Sequence, residues 1–365
     1  MMGISVSPIV PTVLARDPRT SYPVLSPTAS SGLGSALQWL ARNQSSDGSY
    51  GEFFPPNTAA AAYALWLNDT HSARAVSAYA WLAAQLDNSS NWFWGSYGEF
   101  DIPGVSLYSI ASSSNLQFVQ VPSVASSFLE FQQANGGFLG FWPSGASNPV
   151  TSSVDTAEAL RGLLSVRAIN ASSEQSAVTY LFTLQNSDGS FNLTSTMAYD
   201  PIYSQGPEPV SITALVLLAL RDASYTNTNT DVAKALSFLT TASSKYSPMA
   251  NDNNAVYSAS LSALAFHAFG RTAYAYDAIA FILSHQNSDG GFRDSTRSSP
   301  GSNALDTAWA SIALQQVVPG RAFSSFLPEV VIFGIIAGVV ALAVIVGIVV
   351  YLVRRNKTQT QVKSL

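Results

Sequence analysis

QNSDGSF at residues 185–191 and QNSDGGF at 286–292 are near-copies of one another. QSSDGSY begins at Gln44 and QQANGGF at Gln132, so one pattern, Gln-x-x-Asp/Asn-Gly-Gly/Ser-Phe/Tyr, occurs four times. GSYGEF supplies a second identity, at 48–53 and again at 95–100, with Pro56 and Pro103 at the same offset. Recurrence at such spacing marks a repeat architecture, in which each unit buries its apolar face only by stacking on its neighbours.

The residues before each copy carry helical periodicity. Leu33, Ala36, Leu37, Leu40 and Ala41 precede the first, Ala177, Tyr180, Leu181 and Leu184 the third, and Ala278, Phe281, Ile282 and His285 the fourth. Asp-Gly or Asn-Gly then stops the helix, because glycine accepts the left-handed conformation that a helix end needs. A second helix follows. Asn57-Thr58-Ala59, Asp155-Thr156-Ala157 and Asp306-Thr307-Ala308 read as its start, with Asn57, Asp155 and Asp306 as N-caps and Asp155 and Glu158 at capping-box spacing. Six helix pairs result, over 33–70, 73–114, 119–168, 172–222, 230–270 and 272–317; the second and fifth keep the helix pattern without the full motif. The expected fold is all-α, a ring of six helix pairs across residues 31–318.

Composition narrows the function. Of 365 residues, 47% are hydrophobic and 11% charged, with a net charge of −5. With no long basic run outside the C-terminal tail, nucleic-acid binding is not expected. The chain has no cysteine, which excludes thiolate nucleophiles and Cys-based metal sites. Its three histidines, His71, His267 and His285, are far apart and form no ligand-spaced pair, so neither a metal nor a cofactor is expected.

Val330–Val353 is an uncharged apolar stretch long enough to cross the ~30 Å hydrocarbon core of a bilayer as one helix. Residues 319–329 form a juxtamembrane linker and 354–365 a basic tail. Arg354, Arg355 and Lys357 follow the stretch while Glu329 precedes it, so the positive-inside rule puts the tail in the cytoplasm and the N-terminal domain outside the cell. Residues 1–30 contain a candidate signal peptide, mildly apolar over 3–15 but lacking a basic start and interrupted by Pro8 and Pro11. The alternative is a tail-anchored protein with a cytosolic domain. Gly334 and Gly338 form a GxxxG pair, through which two membrane helices can approach and form a homodimer. Glycosylation sequons stand at Asn43, Asn68, Asn88, Asn170 and Asn192.

The repeated motif, the amphipathic helix before it and the Asp-Thr-Ala after it resemble the prenyltransferase/squalene-cyclase repeat over residues 33–317. That repeat builds the α/α toroid of protein prenyltransferase β-subunits and class II terpene cyclases, so the resemblance implies six helix pairs closed around a central cavity. It does not bring the chemistry with it. The Asp-Cys-His zinc site of protein prenyltransferases cannot be assembled without Cys, and the family's last-repeat His falls near Asp306. The proton-donating Asp of Asp-x-Asp-Asp-Thr-Ala in class II cyclases corresponds here to Val154 or Leu305. The Cys-Gly-Glu-Gln thioester of complement-type toroids is also missing.

Two functional readings remain open. One is a membrane-anchored surface domain that binds a glycan, a lipid-like (isoprenoid-like) molecule or a protein. Its rim candidates are Glu52, Trp92, Trp94, Glu99 and Trp142, in aromatic-rich loops beside carboxylates. The alternative is a toroid enzyme, a lyase or terpene-cyclase-like protein using residues outside the family set. Its cavity candidates are Asp155, Glu158, Arg161, Tyr257, Asp306 and Trp309, on the second helices of their units. The four repeated glutamines are expected to satisfy backbone groups of an adjacent turn.

Overall fold

The computed structural model describes residues 27–51, 55–86, 101–140, 150–198, 209–243, 255–292 and 301–318. Among them are twelve α-helices in six consecutive pairs: α1 (Pro27–Asn43) and α2 (Pro55–Asn68), α3 (Ala73–Ala84) and α4 (Asp101–Ser112), α5 (Val121–Glu130) and α6 (Ser153–Ser165), α7 (Ala171–Thr183) and α8 (Pro209–Asp222), α9 (Thr230–Ser243) and α10 (Ala255–Ala268), and α11 (Thr272–Ser284) and α12 (Ala304–Val317). The unit boundaries follow those read from the repeat. A two-residue antiparallel ribbon, β1 (Leu139–Gly140) with β2 (Val150–Thr151), adds a strand element that helical periodicity does not foresee. The stretch 330–353 and the linker and tail around it lie outside the described residues. No helix among the described residues is long and apolar enough to cross a membrane.

The even-numbered helices form a closed inner ring in which α2, α4, α6, α8, α10 and α12 each pack on the next, and α12 packs back on α2. Their sequences explain the position. Pro209–Leu220 of α8 is buried at every residue, as a helix apolar on all faces must be. Outer helices are one-sided by comparison: α7 buries Ala177, Val178, Tyr180 and Leu181, a stripe at helical spacing. The inner helices run parallel. In the last turn of α12, Gln315 Nε2 donates to the Ala64 carbonyl (3.0 Å) and Gln316 Nε2 to the Tyr63 hydroxyl (3.1 Å), both in the C-terminal half of α2.

The pairs of the sequence are not the tightest pairs in space. α3 packs on α2, and α11 on α10, more extensively than α1 on α2 or α11 on α12. Each of those tight hairpins is an inner helix, a short turn and the following outer helix. By the same rule α1 lies more against α12 than against its own partner α2, so the first helix completes the last hairpin and shuts the ring.

The repeated motif welds this arrangement. Each Gln side chain donates to the carbonyl of its own turn glycine and to a carbonyl near the start of the next unit's outer helix. Gln44 reaches Gly48 and Arg74 (3.0 and 2.9 Å), Gln132 reaches Gly136 and Ser173 (3.0 and 2.8 Å), and Gln185 reaches Gly189 and Asp231 (3.1 and 2.8 Å). Gln286 reaches Gly290 and Gly32 (2.8 and 2.7 Å), returning the chain to its first helix. These staples join outer helices end to start at four of the six junctions of the ring. The turn glycine is required on two counts: Gly189 has φ +94°, and a Cβ there would stand 2.3 Å from the Lys234 carbonyl oxygen. The motif's final aromatic, Tyr50, Phe138, Phe191 or Phe292, is fully buried. Its backbone NH donates to Thr58, Thr156, Thr213 or Thr307 Oγ1 in the first turn of the inner helix, at 2.8–3.0 Å.

The inner-helix starts differ from expectation. α2 begins at Pro55, ahead of Asn57, and the N-caps of α6 and α12 are Ser152 and Asn303. Asp155 and Asp306 sit three residues later, where their backbone NH groups donate to the Ser152 hydroxyl (3.0 Å) and the Asn303 side-chain oxygen (2.9 Å). Ser152 with Asp155, not Asp155 with Glu158, therefore occupies the capping-box positions. The reason lies outside the helix: Thr156 and Thr307 face the NH of Phe138 and Phe292, 18 and 15 residues upstream, with the helix start drawn upstream of Asp-Thr-Ala.

Candidate functional site

The six cavity candidates do not form one constellation. Asp155 and Asp306 are fully buried at the starts of α6 and α12. Ser152 Oγ donates to Asp155 Oδ2, and Asn303 Nδ2 donates to Asp306 Oδ2. β1 closes over the first of them, since a methyl on Gly140 would stand 2.0 Å from the Asp155 carboxyl carbon. Tyr257 and Trp309 meet edge to face between α10 and α12, with ring centroids 6.0 Å apart. Only Glu158 and Arg161 lie together within a charged cluster.

That cluster gathers on the C-terminal half of the inner ring. Arg161 exposes 4% of its surface. Its Nε donates to Asp222 Oδ2 at the end of α8 (2.9 Å), its Nη1 lies 4.0 Å from Glu158 Oε2, and its guanidinium stands 4.1 Å from the centroid of the Tyr108 ring on α4. Tyr63 of α2 meets Tyr108 edge to face at 6.1 Å and stacks with Trp66 at 6.1 Å. Close backbone approach sets these positions: a methyl on Gly104 of α4 would stand 2.4 Å from the Glu158 carbonyl carbon.

Electrostatics fix the guanidinium as a permanent cation. Burial works against its charge, but Tyr108, Asp222 and Glu158 outweigh burial and raise its proton affinity further. It cannot serve as a general acid or base. Arg161 Nη1 is buried and has no hydrogen-bond acceptor among the described residues, with Glu158 Oε2 standing 4.0 Å away. Burial also pushes the Tyr63 hydroxyl well above the usual phenol range, keeping it a neutral donor and acceptor.

Glu158 and Arg161 were legible in the sequence, but their partners were not. Tyr63 and Arg161 each fall five residues after the Thr of Asn/Asp-Thr-Ala, a register that aligning units one and three reveals, whereas Tyr108 lies two residues before the position that the 47-residue offset pairs with Tyr63. Asp222 carries no such signal, because it ends α8 like an ordinary solvated residue. The rim candidates Glu52, Trp92, Trp94, Glu99 and Trp142 lie outside the described residues. His71 is exposed in the 69–72 turn and His267 is exposed in the last turn of α10; His285 caps α11 with its ring 4.0 Å from that of Phe281. Among the described residues no group of three or more His, Asp or Glu could hold a metal ion.

Comparison with solved structures decides the fold. A protein from Actinoplanes superposes with TM-score 0.57 at 14% identity, covering 80% of this chain and 100% of that one. The type II terpene cyclase MstE from Scytonema, in its apo form, gives 0.56 at 13% identity, covering 80% and 99%. A possible GH105 family member from Salmonella enterica serovar Paratyphi A gives 0.56 at 11% identity, covering 86% and 99%. The fold is a terpenoid-cyclase-like α/α toroid. The family model of the A-macroglobulin TED domain also matches, over residues 122–275 of the toroid. No curated protein matches the chain in sequence.

Proposed function

We propose that this toroid is a membrane-tethered domain that binds its ligand without transforming it. The observation carrying this reading is that each nominated acid is tied into the framework: Asp155 to Ser152, Asp306 to Asn303, and Glu158 to Arg161. An acid catalyst must deliver a proton to a bound substrate at a reachable position, whereas these carboxylates hold helix starts and a guanidinium. The tether is residues 330–353, with the toroid outside the cell, the basic tail inside, and Gly334 and Gly338 available to pair two copies. The ligand classes that suit the aromatic-rich segments feeding the inner helices are a glycan, a lipid-like molecule or a protein.

The alternative, a lyase or terpene-cyclase-like enzyme, draws on one specific observation, the buried Arg161 Nη1 that lacks an acceptor among the described residues. Full-length protein in liposomes, incubated with oligosaccharides and with polyisoprenoids, separates the two. Saturable binding with substrate recovered intact is expected. Product formation abolished by Glu158→Gln or Asp306→Asn, in variants that still bind, would overturn the binding reading.

A further inference from the structure

The inner helices all end on one face of the toroid. That face carries the turns 69–72, 113–120, 166–170, 223–229 and 269–271, and α12 delivers the chain there at Val317. The apolar stretch begins at Val330, and the segment 319–329 reaches at most ~40 Å even when fully extended. We infer that this inner C-terminal face rests on the bilayer, its arginines against anionic lipid headgroups. The inference rests on the reading of 330–353 as a membrane tether.

Charge supports the contact. Arg74, Arg167 and Arg271 are exposed on or beside these turns, Arg221 is half-buried, and His71 and His267 are exposed near them. The acids facing them are Asp69, Glu174, Asp222 and Asp231. Asp222 is bound to Arg161 (2.9 Å) and Asp231 to Lys234 (3.0 Å), which leaves Asp69 and Glu174 against four arginines. Leu116, 39% exposed, adds an apolar contact on the same face. The opposite charge marks the segments that feed the inner N-termini, 52–54, 87–100, 141–149, 199–208, 244–254 and 293–300. They contain seven acids, Glu52, Asp87, Glu99, Asp200, Glu208, Asp252 and Asp294, against Lys245, Arg293 and Arg297. An anionic surface attracts the first face and disfavours these acidic segments.

Because the chain has no cysteine, single labels are unambiguous. Asn227→Cys marks the turn face and Val150→Cys the other; α6 spans 13 residues, so the two faces are ~20 Å apart. Full-length protein carrying a fluorophore at either site is reconstituted in phosphatidylcholine–phosphatidylglycerol vesicles with a headgroup nitroxide quencher. Quenching at Asn227 is expected to exceed that at Val150 about threefold, given the ~20 Å offset. The ratio should fall toward one with Arg167→Glu, Arg221→Glu and Arg271→Glu combined, and in pure phosphatidylcholine. Should the triple variant not fold, salt tests the same point on the unsubstituted arginines, since screening contracts from ~10 Å at 0.1 M to ~3 Å at 1 M. Equal quenching at both sites, or a ratio indifferent to charge reversal, lipid and salt, overturns the docking while the tether stands. Release of the protein by an alkaline wash overturns the tether itself and the docking with it.

Discussion

Gln286 Nε2 donates to the carbonyl of Gly32 at 2.7 Å, across 254 positions of chain, and so fastens the end of α11 to α1. The same nitrogen donates to Gly290 at 2.8 Å. Gln286→Ala is expected to cost ~1–3 kcal/mol by leaving both carbonyls without this donor. Gln286→Glu should cost more, because an ionised carboxylate is acceptor-only and would face two acceptors. Urea unfolding of the two variants checks the order.

Two glycines with positive φ separate conformational strain from collision. Gly270 has φ +72° with nothing within 4 Å of an added Cβ, whereas Gly189 has φ +94° with the Lys234 carbonyl oxygen at 2.3 Å. Gly270→Ala should lose ~1 kcal/mol from backbone strain alone. Gly189→Ala should lose well over ~2 kcal/mol, since the backbone of α9 must also move. Thermal melts of both variants measure the difference.

Arg161 holds two carboxylates and an aromatic face at once. Arg161→Met is expected to cost ~3–5 kcal/mol by stranding Glu158 in the interior. Combining it with Glu158→Gln should recover part of that loss. Arg161→Lys should not rescue, because an ammonium cannot keep the planar fork on Asp222 while stacking on Tyr108. Chemical denaturation of the four proteins tests the set.

Alkaline stability has a predicted sign. Burial pushes the Tyr79 hydroxyl up to about 12 from an ordinary value of 10.0. With the folded value raised, the unfolded chain releases this proton first. The Tyr79 contribution is therefore fully present below pH 10 and is lost as pH rises through about 12. Tyr180 is likewise pushed up to about 12 by burial and titrates in the same window. Tyr79→Phe should make the loss of stability above pH 10 shallower, read from denaturation midpoints across that range.

Much of the fold was legible because the motif is repetitive and its residues act locally. Gln185 and Gly189 advertise a helix stop, and helical spacing before and after them gives the pairs. What resisted reading depends on longer distances. Sequence order pairs α1 with α2, yet link length favours α2 with α3, and the ring then pairs α1 with α12. Asp155 and Asp306 looked like N-caps, because the claim of Phe138 and Phe292 on Thr156 and Thr307 cannot be seen in a short window. The candidate site was half-legible for the same reason. Glu158 and Arg161 are neighbours on one helix, while Tyr63, Tyr108 and Asp222 come from three others and meet only when the ring is shut.

The head-to-tail staples give the toroid the mechanics of a hooped cask. An open stack of helix pairs unravels from its last stave, losing one unit at a time at little cost. Here Gln286 binds Gly32, so there is no last stave, and the first loss must break a hoop under load. Partial opening is thus penalised by the closed inner ring as well as by the staples, and a pull on the chain where it leaves α12 spreads to α1, α2 and α10 together instead of peeling off a single pair.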